Sequence, residues 1–154
     1  MEPVIAKGTK ERILDAALAS FSSVGYDGTS LDDLAADLGV RKQTILYHFV
    51  TKRGLLAAVV DRAAGELIGA LEEVLASTAR GWERVESLVR TVFRLALREP
   101  QVLGLLREVS RPGSAASGRL RNLMTPLMDR AVAWMETEMA AGRMRRTDPR
   151  LVVL

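Results

Sequence analysis

Four basic residues, Arg41, Lys42, Lys52 and Arg53, fall in GVRKQTILYHFVTKRGLL (residues 39–56), a stretch with no acidic residue. Two helix starts are expected inside it, one near Val40 and one just after Thr51. A helix N-terminus already carries about +0.5 of an elementary charge, so cations placed there are locally unfavourable. The same placement becomes favourable when an anion docks, because backbone N–H groups and side-chain cations then share it. Tyr47 and His48, at the far end of the short helix, complete what reads as a phosphate clamp. Lys42, Gln43 and Thr44 are left to face bases: Lys can reach guanine O6 and N7, and Gln can pair with adenine. Ser30, at the start of the preceding helix, joins this candidate contact set.

Other chemistries find little support. The chain has no cysteine, which removes disulfides, thiolate nucleophiles and Cys-ligated metals. Its single histidine, His48, cannot build a metal site, and no carboxylate is spaced to act with it in catalysis. No cofactor is expected. The N-terminal MEPVIAKG lacks an apolar core of the signal-peptide kind, and the longest apolar run, LLAAVV, is far shorter than a bilayer span. These features fit a soluble cytoplasmic protein with no membrane partner.

With 154 residues, 48% apolar and 27% charged, the chain has the composition of an ordinary globular protein with a proper core. Its net charge of +3 is uninformative until it is divided. Residues 1–54 hold seven Lys and Arg against seven Asp and Glu, so this head is neutral yet polarised. Asp27, Asp32, Asp33 and Asp37 form one block, followed by the basic stretch. All four lysines (7, 10, 42 and 52) lie in the head. That distribution describes a small contact surface rather than a generally basic tail.

The elements that must carry these residues read as helices throughout. TKERILDAALASF places Ile13, Leu14, Ala17, Leu18 and Phe21 on one face, with Thr9 as N-cap. VGYDGTS is a turn, and Thr29 or Ser30 caps a second helix, LDDLAADL, which stops at Gly39. A third spans about 40–49, with Ile45 and Phe49 turned to the core. Thr51 caps a long fourth helix with the stripe Leu56, Val60, Ala63, Leu67, Leu71 and Val74. In a fifth, Val85, Leu88, Val92 and Phe93 are expected to face inward, while Arg90, Arg94 and Arg98 form a solvated stripe. Pro100 opens a sixth, and RPGSAASG is a loop. A final long helix, with Pro126 near its first turns, ends at Gly142. TDPRLVVL then begins another apolar helix after a cap and a Pro, so further C-terminal chain is expected. No strand-like alternation occurs.

Three short helices with a glycine-containing turn between the second and third make a helix-turn-helix arrangement. From Thr9 to Leu56 the sequence resembles the DNA-binding head of TetR-family transcriptional regulators. Ile13, Ala16, Phe21, Gly25, Thr29 to Ala35, Gly39–Val40, Thr44, His48–Phe49, Lys52 and Leu55 carry the likeness. The resemblance implies an all-α protein with a helix-turn-helix head, residues 1–54, and a helical effector-binding and dimerisation domain, residues 55–154. It also implies a homodimer that represses from double-stranded operator DNA and is released by a small-molecule effector.

Three positions depart from the family pattern. Leu46 stands where Tyr is usual, so one aromatic phosphate contact is either lost or shifted to Tyr47. Arg41 replaces a small residue and adds a phosphate contact or a guanine reader. Gly54 stands where Ala or Glu is common and should weaken the fourth helix by about 1 kcal/mol relative to Ala. In the second domain, Met124, Met128, Met135 and Met139 read first as core filler. Met124 and Met128, with Trp82 and Phe93, are the candidate walls of an apolar or aromatic effector site. The alternative reading is a helical interaction module whose head binds protein instead of DNA.

Overall fold

The computed structural model describes residues 8–153, so residues 1–7, most of the stretch read above for a signal peptide, lie outside it. Eight helices follow one another: α1 Thr9–Gly28, α2 Leu31–Leu38, α3 Lys42–Phe49, α4 Lys52–Ala76, α5 Gly81–Arg98, α6 Pro100–Val109, α7 Ser117–Ala140 and α8 Pro149–Val153. The all-α expectation holds, with no strand among the described residues. The chain divides into two compact units, residues 1–62 with 99–117, and residues 63–98 with 118–154. The first is therefore larger than a head ending at residue 54, since it includes the opening turns of α4 and the whole of α6.

In that first unit, α1 turns Ile13, Ala17 and Phe21 fully inward, where they meet Ile45 of α3 and Leu55, Leu56 and Val59 of α4 in one core. Burying the Ile, Leu, Val and Phe side chains among these is worth about 1.5–3 kcal/mol each, which holds the first helices together. Polar contacts fix their directions. Arg12 donates to the Leu38 carbonyl at 3.0 Å, placing a cation at the negative end of α2. Arg62 on α4 reaches Asp15 of α1 at 2.8 Å. α1 also packs against α6, where Ser22 donates to the Gln101 carbonyl at 2.6 Å.

Several boundaries differ from expectation. Gly8, not Thr9, is the N-cap of α1, and no side chain caps that end. The anticipated turn after Phe21 is instead a kink: Gly25 takes φ 77° and α1 resumes to Gly28. A side chain at residue 25 would be strained by that φ and would meet the Glu108 carboxylate of α6 at 2.8 Å. The third helix begins at Lys42, because Gly39 and Val40 are used to close α2: Gly39 N–H bonds to the Ala36 carbonyl and Val40 N–H to that of Ala35.

The second unit contains the rest of α4, with α5, α7 and α8. Ala64, Leu71, Leu127 and Met135 are its buried apolar residues. Buried Glu138 ties α7 to the start of α5: it accepts the Gly81 N–H at 3.1 Å and two bonds from Arg143 at 2.8 Å. That pairing holds the Glu138 carboxyl below the usual carboxylate range. Pro126 lies well inside α7, not near its first turns, and removes one N–H from the helix ladder there. Val92 and Phe93 are exposed instead of buried; the reason is the open cavity described below. Asp148 accepts the Arg150 N–H and opens α8 as expected.

Candidate nucleic-acid interface and apolar cavity

Ser30 caps α2. Its hydroxyl oxygen accepts from the N–H groups of Asp32 and Asp33 at 3.2 and 3.3 Å, while its own O–H proton stays available to an outside acceptor. α3 is different. Arg41 occupies its N-cap in extended conformation and no side chain caps the end. A small hydroxyl residue here would satisfy first-turn N–H groups; Arg41 cannot, so that end is left able to bind an anion.

On α3, Gln43 and Tyr47 are exposed, Tyr47 to 84%, and Thr44 is half-buried beside them. His48 is half-buried, with Tyr47 edge-on to it at 5.2 Å and Phe49 tilted against it at 6.0 Å. Ile45 and Phe49, on the opposite face, are in the core. Gln43, Thr44, Tyr47 and His48 thus share one outward face of α3 by the helix period. Leu46, the departure from the family's Tyr, is half-buried and does not replace Tyr47 at the surface.

Two of the four cations of the basic stretch have partners. Lys42 pairs with Asp32 of α2 at 2.8 Å, and the Lys52 ammonium sits 4.5 Å from the centre of the Tyr26 ring. An exposed cation–π contact of this kind is worth about 0.5–1 kcal/mol. Both partners come from earlier helices, so a reading confined to residues 39–56 could not find them. The signal for Asp32 was the acidic block; Tyr26 carried none.

Between α3 and α4 the chain turns with little room. Val50 adopts φ 64°, ψ −46°, and the Thr51 N–H bonds across it to the Phe49 carbonyl at 2.7 Å, a three-residue γ-turn. A β-branched residue in that region is strained. Thr51 then caps α4, accepting the Gly54 N–H at 2.9 Å. A Cβ on residue 54 would run into the Phe49 carbonyl oxygen. Gly54 is therefore a requirement of this turn, which corrects the expectation from helix propensity that Ala would serve better here.

Within the second unit, α4, α5 and α7 enclose an open cavity of about 400 Å³. Its walls are Leu71 and Leu75 of α4, Leu88, Val89, Val92 and Phe93 of α5, and Leu127, Met128 and Ala131 of α7. Phe93 and Met128 were anticipated here. Trp82 is 77% exposed and Met124 half-buried, and neither lines the cavity. The Leu and Val walls were missed because their periodicity is that of ordinary core. No group of His, Cys, Asp or Glu that could hold a metal occurs among the described residues.

The family described as bacterial regulatory proteins of the tetR family matches residues 13–59, which span the interface. The likeness to the tetR family lies in this head. Among curated relatives, the biofilm operon negative transcriptional regulator IcaR of Staphylococcus aureus (strain Newman) is 44% identical over 46 residues, 30% of this chain and 25% of that protein. The match thus spans about a quarter of the length of such relatives. The fatty acid degradation regulator FadR of Bacillus halodurans superposes with TM-score 0.82 at 18% identity, covering 96% of this chain and 78% of that one. FadR of Bacillus subtilis, solved with stearoyl-CoA, gives 0.81 at 19%, covering 93% and 78%. The fold shared with these two proteins thus extends well beyond the head. These relatives and fold neighbours alike are named as regulators.

Proposed function

We propose that this chain is a TetR-family DNA-binding transcriptional repressor, acting as a cytoplasmic homodimer and released from its operator by an apolar small molecule. The observation that carries the reading is the exposed face of α3: an uncapped N-terminus flanked by Arg41 and Lys42, Gln43 and Thr44 beside them, and Tyr47, His48 and Lys52 at the far end. Arg41, Tyr47, His48 and Lys52 would hold phosphates, with the Ser30 hydroxyl and the α2 start. Lys42, Gln43 and Thr44 would meet base edges. Two heads in successive major grooves, about 34–36 Å apart, call for a near-palindromic site.

The effector would enter the cavity between α4, α5 and α7. Its wholly apolar walls favour a hydrocarbon-like or aromatic ligand, in keeping with the stearoyl-CoA held by the B. subtilis neighbour. α4 contributes Leu55 and Leu56 to the head core and Leu71 and Leu75 to the cavity wall, so one continuous helix belongs to both functions. A full switch requires roughly 5.5 kcal/mol of differential affinity between the two states. No helix among the described residues is long and apolar enough to cross a membrane.

Selection from a random duplex pool tests the reading. The expected product is one enriched site with two half-sites a helical turn apart. A pool that stays unenriched, with the protein capturing only other proteins, would favour the interaction-module alternative.

A further inference from the structure

The head's acidic block sends one carboxylate into the candidate interface. Asp32 is the second residue of α2 and Lys42 the first of α3, and their side chains meet at 2.8 Å while staying 69% and 45% exposed. The backbone N–H of Asp32 is already bound by the Ser30 hydroxyl, so its carboxylate is free for this contact. Exposed pairs are weak in water, and this one does not lock α3 in place. It acts when a nucleic acid approaches.

Lys42 has three N–H donors and no acceptor. One donor is given to Asp32, leaving two directed elsewhere. If the incoming acceptor is a phosphate oxygen, a second anion is brought beside the Asp32 carboxylate, and the two repel. Guanine O6 and N7 are neutral acceptors and can share the ammonium without that penalty. We infer that Asp32 is a specificity-determining residue, which by holding the Lys42 ammonium disfavours its use on phosphate and reserves it for a base edge. Asp32 is a positioning residue here, since it works through Lys42. The inference rests on the DNA-binding reading above.

The test uses the full chain, a duplex enriched by the wild-type protein from a random pool, and a shuffled duplex of the same composition. Asp32→Asn should bind the shuffled duplex about three- to tenfold tighter and the enriched one within about twofold of wild type, so discrimination falls. Its log–log salt slope on the shuffled duplex should steepen by about 0.9, the value of one added phosphate contact. In a Lys42→Gln background the same substitution should change nothing. Asp32→Ser, whose hydroxyl suits the first turn of a helix, is the second variant should Asn disturb folding. An unchanged ratio, or equal tightening on both duplexes that persists without Lys42, overturns the inference and leaves the DNA reading standing. Failure of the wild type to enrich any duplex overturns both.

Discussion

Gly54 lies with its bare Cα against the carbonyl oxygen of Phe49, the same oxygen that accepts the Thr51 N–H across the turn at Val50. This contact joins α3 to α4, and it inverts the usual expectation for a glycine in a first helical turn. Helix propensity alone makes Gly54→Ala stabilising by about 1 kcal/mol. The added methyl would displace the Phe49 carbonyl, so a net loss of about 1–3 kcal/mol is expected. Val50→Gly should act in the opposite direction, relieving strain worth on the order of 1 kcal/mol. Urea unfolding of both variants checks the pair; a more stable Gly54→Ala protein contradicts the geometry.

Much of the first unit was readable because its signals are local. The apolar period identified Ile13, Ala17, Phe21, Ile45 and Phe49 as core, and capping residue types identified Ser30, Gly39 and Thr51 as helix ends. What was missed depends on partners distant in sequence. Residues 39–56 looked unmatched in charge because Asp32 and Tyr26 lie outside them. Gly54 reads as a weakness in α4 because the obstacle to a side chain is a backbone carbonyl, which no residue type announces. In α5, apolar spacing gave the stripe of Val92 and Phe93 correctly but not its surroundings, and a helix face bordering an open cavity has the same period as one in a core.

The Glu138–Arg143 pair carries a pH signature for the second unit. Arg143 bonding lowers the Glu138 pKa in the folded state. A depressed carboxyl contributes stability that is fully present above the unfolded value, about 4.3, and is lost as pH falls through the folded one. Glu138→Gln should therefore melt lower than wild type at pH 7, with the gap closing below about pH 4. Melting temperature measured from pH 7 to pH 3 reads this directly. A gap that is constant across the range would mean that the carboxylate charge is not what matters.

Filling the cavity should separate ligand binding from DNA binding. Ala131 lies on the α7 wall between apolar neighbours. Ala131→Trp is expected to weaken binding of the fluorescent apolar probe anilinonaphthalene sulfonate by about tenfold or more, with duplex affinity unchanged. Undiminished probe fluorescence would place the ligand site elsewhere.

In the proposed complex the α3 face and the α4 start hold a phosphate backbone. Duplex affinity measured against salt tests it most directly, because each phosphate contact contributes about −0.9 to the log–log slope. Wild type should weaken steeply between about 50 and 200 mM salt, and Lys52→Ala should bind less tightly with a slope shallower by about one contact. Affinity indifferent to salt, or a Lys52→Ala slope equal to that of wild type, would contradict the account.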